Sequence, residues 1–228
     1  MKRLTRLGGG EPSCRPARKC RYTRFGRVLS LGPDDWGRPS RCALARHSRV
    51  PTVRRLTAND VSMIAELDRS EHVDVEYTVI VGRLEERPVS MAEIPPWDRE
   101  GFGEHSVAAR IAHCAALLAD GAVLIGAFDG DVLMGLTIVH PSFEPGLGWL
   151  AFLHVSRPHR RHGAARELWR AAAGLARQAG ARSLYVSATP TGSAVGFYLG
   201  QGCRLAEPAH PTLFAEEPDD IHLVCTLT

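Results

Sequence analysis

Arg160-Arg161-His162-Gly163-Ala164-Ala165 brings three basic side chains together with one glycine and two alanines. The segment falls between an apolar run, Gly148-Trp149-Leu150-Ala151-Phe152-Leu153-His154-Val155, and a strongly helical stretch from about Gly163 to Ala179. A run apolar on both faces predicts a buried central strand. The first N–H groups of a helix have no partner of their own. With the positive end of the helix dipole and a glycine that lets backbone approach closely, the junction is a natural seat for a pyrophosphate. His154 alternates to the strand face opposite Leu153 and Val155, which suits a core or ligand-packing histidine. Cys14, Cys20, Cys42 and His47 are read against a metal site, because five residues separate the first two cysteines and structural zinc sites use two to four.

The surrounding pattern predicts the elements that hold this junction. Thr52 to Leu56 is a short strand, and Thr57 caps a helix from Ala58 to about Asp68 with Asp60 in the capping-box position. Val73 to Val81 alternates into a strand that Gly82-Arg83 turns; Pro88, Pro95-Pro96 and Gly101 to Gly103 then read as loop. Ser106 opens a helix that Gly121 ends. Ala122 to Phe128 and Val132 to His140 flank Asp129-Gly130-Asp131 as a hairpin. The helix after Gly163 buries Ala164, Leu168, Ala171, Ala172 and Leu175, and Gly180 stops it. Ser183 to Ala188 is a strand, Thr191 to Gly202 a helix, and Ile221 to Leu227 a closing strand. This order predicts one α/β domain with a mixed sheet.

Charge divides the chain. Residues 1–50 hold 13 Lys+Arg against 3 Asp+Glu, and both lysines of the protein, Lys2 and Lys19, lie there. Glycines and prolines interrupt any period in this part, so 1–50 reads as a disordered basic extension and 51–228 as the folded domain. Val50 or Val53 is an alternative start of the native chain. No apolar run approaches the roughly 20 residues of a membrane helix. No apolar leader begins the sequence, and six scattered cysteines read as reduced thiols, which together predict a cytoplasmic protein.

Two motifs in this order of elements resemble the GNAT superfamily of acyl-CoA-dependent N-acetyltransferases. The family pattern Q/R-x-x-G-x-G/A is met by Arg160-x-x-Gly163-x-Ala165, after Leu153-His154-Val155. The pattern N-x-x-A-x-x-F/L-Y-x-x-x-G-F is met by Thr191-x-x-Ala194-x-x-Phe197-Tyr198-x-x-x-Gly202-Cys203. Thr191 stands where the family usually has Asn, and Cys203 where it has an aromatic. The resemblance covers about residues 53–227. It implies a GNAT-like, mostly antiparallel mixed sheet flanked by helices, with its central strands splayed apart. It also implies acetyl-CoA as co-substrate, its pyrophosphate on Arg160, Arg161, His162, Gly163, Ala164 and Ala165. The pantetheine arm would lie along Leu153, His154 and Val155, with Thr191 contributing on the far side.

The same resemblance implies Tyr198 as the group that serves the departing sulfur. Glu71 is the candidate for binding or deprotonating the amine, among His72, Trp97 and His105 where the family builds its acceptor pocket. The fourth-strand positions that carry a base in some members hold Trp149 and Ala151 here. The acid-rich stretch from Asp68 to Glu104 suits a cationic amine, on a small molecule or a peptide. The implied activity is N-acetyl transfer to a primary amine, and dimers are common in the family. Two other classes stand beside it: a silent acyl-CoA sensor, and nucleic-acid binding through the basic arm. The last is disfavoured, since only Tyr22 and Phe25 precede Trp36 as aromatics in that arm.

Overall fold

The computed structural model describes residues 50–228; the expectations for the basic extension and for Cys14, Cys20, Cys42 and His47 fall outside them. The elements are β1 (Thr52–Arg55), a 3-10 segment (Ala58–Glu66), β2 (Glu71–Ile80), β3 (Arg83–Ile94), α1 (Val107–Ala119), β4 (Val123–Asp129), β5 (Val132–Glu144), β6 (Leu147–Val155), α2 (Ala164–Gln178), β7 (Ser183–Ala188), α3 (Gly192–Gly200), β8 (Arg204–Leu205), α4 (Pro211–Glu216) and β9 (Ile221–Thr226). Among the described residues, seven strands form one sheet in the order β1-β4-β5-β6-β7-β9-β8, and β2 and β3 form a separate ribbon. Only β6 and β7 pair in parallel within the large sheet. One face packs on α2 and α3 through Leu150, Val155, Leu168, Ala172, Val186 and Val195. The other packs on α1 and the 3-10 segment through Ile64, Trp97, Cys114, Leu124 and Ile138.

Small residues on α2 let it lie close to the sheet: a Cβ on Gly148 would sit 3.0 Å from that of Ala176. Gly130 takes φ +59° at the first central position of the β4–β5 turn, a conformation glycine adopts without strain. Three expectations change. The first helix is a 3-10 segment ending at Glu66; Asn59, Asp60 and Ser62 are weak helix formers, although the Thr57–Asp60 capping box is present. Pro88 does not open a loop, because β3 runs through it to Ile94. It sits opposite Val75 at a bulge on a ribbon edge that needs no N–H. Cys203 and Cys225 are joined in a disulfide rather than both reduced, since the β8–β9 register brings residues 22 apart in sequence together. Cys114 is free and buried. The short β8 and α4 carry no periodic signal and were not anticipated.

The site is positioned by one irregularity. Val139 pairs with Leu150 and Ile138 with Phe152, so Ala151 bulges out of the β5–β6 ladder. The parallel pairing of β6 with β7 ends at the same place, at Leu150↔Val186. Beyond it β6 stays on β5 as far as Val155↔Gly135, while β7 stays on β9 as far as Ala188↔Ile221. The two strands therefore part, as expected for the splayed centre of the sheet.

Side-chain and backbone bonds hold the free end of β6. The N–H of Asp68 donates to Ser156 Oγ (3.0 Å), and that of Arg157 to the Asp68 carbonyl (2.8 Å). Arg160 donates from Nε to the Val155 carbonyl (3.2 Å), from Nη2 to the Arg69 carbonyl (3.1 Å) and from Nη1 to Glu71 Oε2 (3.0 Å). Farther along, the Tyr77 N–H donates to the Pro190 carbonyl (2.9 Å), and Glu76 bridges Thr191. Strand β2 thus crosses from the end of β6 to the end of β7. A Cβ on Gly135 would fall 2.5 Å from the His154 carbonyl oxygen, so Gly135→Ala should destabilise by about 1–3 kcal/mol, read by denaturant unfolding. Arg160→Gln and Glu71→Gln should each destabilise, and the double variant by clearly less than their sum. Additive losses would show that the pair does not hold the strand end.

Candidate active site

The loop before α2 is shaped by backbone. Arg157 to His159 make one 3-10 turn, after which Arg161 (φ +68°) and Gly163 (φ +89°) take left-handed conformations. Among the described residues, no acceptor is found for the N–H groups of Arg161 to Arg166. Gly163 caps α2 without a side chain, and its Cβ position meets nothing within 4 Å. Arg161, His162 and Gly163 are exposed, whereas Ala164 is buried under the helix and Ala165 half-buried. The result is a concave run of donors at a helix N-terminus, a ready anion seat. The two arginines divide the work. Arg161 faces solvent at the seat, while Arg160 turns inward to Glu71 and two carbonyls.

The open edge of β6 leads from this seat toward the bulge. Leu153 and Val155 carry their side chains into the α2 core, and the Val155 carbonyl already accepts from Arg160. His154 lies on the other face, its ring 5.2 Å from that of Trp97 and 6.0 Å from that of Phe152. Burial, and then the charges of Arg160, Arg69 and Arg110, push its pKa down to about 3, so the imidazole is neutral at working pH. Its Nε2 is buried without a hydrogen-bond partner, as is the Trp97 Nε1.

Across the gap stand α3 and the start of β9. Thr191 caps α3, its Oγ1 accepting from the Ala194 N–H (3.3 Å), and is 5% exposed. Tyr198, 6% exposed, packs edge-on against Trp169 (5.8 Å) and Phe197 (5.2 Å). Burial, followed by the charge of Asp220, lifts its hydroxyl well above the usual 10 and keeps it protonated. Asp220 was missed in the sequence. It precedes Ile221, which pairs with Ala188 at the lip of β7. Burial raises its carboxyl to about 7, Glu217 and Asp219 add to this, and Arg110 opposes it. A cavity of about 450 Å3 opens beside it, lined by Tyr77, Pro190, Glu207, Phe214, Asp220 and His222. The signal in the sequence was the position of Pro218-Asp219-Asp220 directly before the last strand.

The remaining candidates separate. Glu71 lies at the end of β6, its side chain 16% exposed and paired with Arg160. His72 pairs with Glu93 (2.8 Å) on the exposed ribbon, and His105 is exposed. Trp97 is buried against His154. No cluster of metal-binding side chains occurs among the described residues, and no helix there is long and apolar enough to cross a membrane.

Comparison with known proteins agrees with this geometry. No curated protein matches the chain in sequence. The solved structure of nourseothricin acetyltransferase is similar over 79% of this chain and 100% of its own, with 21% identity and a TM-score of 0.58. A putative streptothricin acetyltransferase from Bacillus anthracis str. Ames, solved with acetyl coenzyme A, covers the same shares at 13% identity and a TM-score of 0.58. The paia N-acetyltransferase of Thermoplasma acidophilum, solved with coenzyme A, matches 78% of this chain and 99% of its own at 11% identity and a TM-score of 0.50. These likenesses establish a shared fold. The model of the acetyltransferase (GNAT) family matches residues 66–202, more than half of the sequence and all of the parted strands and the glycine loop. The chain is therefore an acyltransferase and belongs to the GNAT acetyltransferase family.

Proposed function

We propose that the protein transfers an acetyl group from acetyl-CoA to the primary amine of a small molecule or peptide. The observation that carries this reading is the free edge of β6 from Ala151 to Val155, continuous with the unpartnered N–H groups of the loop before α2. Those groups fit a coenzyme A pyrophosphate: the donors of residues 161–165 are unengaged, and the space at Gly163 is open. Arg161 and His162 add charge at its rim. The main chain of Leu153 and Val155 meets the amides of the pantetheine arm in the manner of an added strand, His154 lies between them with its own main chain on β5, and Thr191 lies at the opposite lip. When bound, acetyl-CoA supplies a thioester-activated acetyl group.

The residues of the chain then divide the proton work. Tyr198 keeps its proton and donates a hydrogen bond where negative charge develops on sulfur. Outright transfer to a thiolate would be uphill, since a phenol near 10 lies above a thiol near 8.5 even before burial. Asp220, at the far lip of the gap, accepts the proton of the acceptor ammonium. Glu71, paired with Arg160, acts by holding the loop and the end of β6 in place, so it is a positioning residue. His154, neutral and dry, completes the wall facing the acceptor.

Acetyl-CoA at a hundredfold over its dissociation constant should stabilise the fold by about 2.7 kcal/mol, visible as a raised melting temperature. Tyr198→Phe should lower turnover while leaving that stabilisation intact; unchanged turnover would remove the tyrosine from the mechanism. Asp220 gives a prediction whose sign follows from its pKa. The folded value lies above the ordinary 3.8, so ionisation costs stability progressively as pH rises through the interval up to about 7. Asp220→Asn should therefore melt like the wild type at low pH and higher than it at pH ~8, while losing the rise in activity through about pH 7. A variant that keeps both profiles would exclude Asp220 as the proton acceptor.

A further inference from the structure

We propose that the acceptor carries an anionic group, a carboxylate or a phosphate, beside its amine, and that Arg69, Arg110 and Trp97 hold it on the face of β6 opposite α2. This rests on the acetyl-transfer reading and deepens it. The Arg69 guanidinium lies 5.9 Å from the Trp97 ring, and its Nε donates to the Pro95 carbonyl (3.1 Å). Trp97 in turn lies 5.2 Å from His154, on the part of β6 that has left β7. The neighbouring Asp98 is bonded to the start of α1, its carbonyl accepting from the Val107 N–H (2.8 Å), and Arg110 follows one turn later. Arg110 Nε, Trp97 Nε1 and His154 Nε2 are all buried without a partner.

Two half-buried guanidinium groups that repel one another, with the buried N–H groups of Arg110 and Trp97 left without a partner, are unfavourable unless an anion joins them. Among the described residues neither Arg69 nor Arg110 has an acidic partner. The acids around the cluster are Asp68, which accepts from the Ser70 N–H (2.9 Å), and Asp220, whose carboxyl feels the Arg110 charge. That polarity orients a zwitterion, its anion toward the arginines and its amine toward Asp220. Four of the seven glutamates in the acidic stretch read as suiting a cationic amine are engaged elsewhere: Glu76 faces Arg87, Glu86 accepts from Tyr77, Glu93 pairs with His72 and Glu71 with Arg160.

The test is coenzyme A release from acetyl-CoA with matched acceptors: L-amino acids against their amides, and phosphoethanolamine against ethanolamine. In the wild type, one anionic series should be preferred by about tenfold or more in kcat/KM. The two arms identify which anion is used. Arg110→Gln should lose that preference mainly through KM, Arg110→Lys should restore part of it, and the melting temperature without ligand should not fall, since the repulsion with Arg69 is relieved. Amides or ethanolamine used as well as their anionic partners, or a preference that survives Arg110→Gln, would overturn the inference. So would a protein that acetyl-CoA stabilises but that acetylates neither anionic series. A protein that acetyl-CoA does not stabilise would instead overturn the acetyl-transfer reading itself.

Discussion

Strand β6 cannot satisfy both of its edges. The bulge at Ala151 bends it while its ladder to β5 continues, and the neighbouring β7 stays with β9. The main-chain groups of alternate residues, Ala151, Leu153 and Val155, are left facing a gap in the middle of a sheet, where polar groups are costly unless something pairs with them. The rest of the molecule is arranged around that cost. The loop before α2 follows the free end of β6, Asp220 precedes the strand that pairs with the end of β7, and β2 crosses from one strand end to the other. A sheet without the bulge would close the gap and leave the loop an isolated anion seat.

A gap of this kind is useful only if its walls are fixed, and Arg160 does most of the fixing. Its guanidinium satisfies the Val155 carbonyl, the Arg69 carbonyl and the Glu71 carboxylate at once. The last two contacts join residues about ninety positions apart in sequence, so they tie the start of β2 to the loop before α2. The planar fork of an arginine matches this task in a way a lysine could not. The same dry surroundings act on three titratable groups in different directions. Burial makes His154 neutral, keeps Tyr198 protonated and lifts Asp220 into the range where a carboxyl can exchange protons near neutral pH. One physical cause, exclusion of water, therefore leads the shift of all three groups.

Most elements of the fold were legible, because their periods and stops are local. The Asp-Gly turn, the helix after Gly163, the Ser106 cap and the strand from Ser183 to Ala188 all depend on neighbours in sequence. What was not legible depends on register or on direction. Nothing local tells which of Arg160 and Arg161 turns inward, since that is decided by Glu71 and by carbonyls far away. The bulge at Ala151 and the pairing of Cys203 with Cys225 follow from how strands align across the sheet. Asp220 belongs to no motif, and the Ile221↔Ala188 pairing sets it beside the end of β7. The candidate donor site was thus readable from a motif, while the acceptor side had to wait for the topology.

The two sides of the gap also use positive charge differently, and this separates their tasks. Arg161 and His162 are exposed, so they attract an anion from solution but discriminate little, as solvated charges do. Arg69, beside Trp97, and Arg110 are half-buried, where water screens them less and an unmatched group is expensive. A partner that fits there gains more, and one that lacks the matching anion is penalised. The donor, common to the whole family, is met by backbone and solvated charge that any chain with this loop can present. On the proposed reading the acceptor is met by side chains whose cost when unpaired makes them selective.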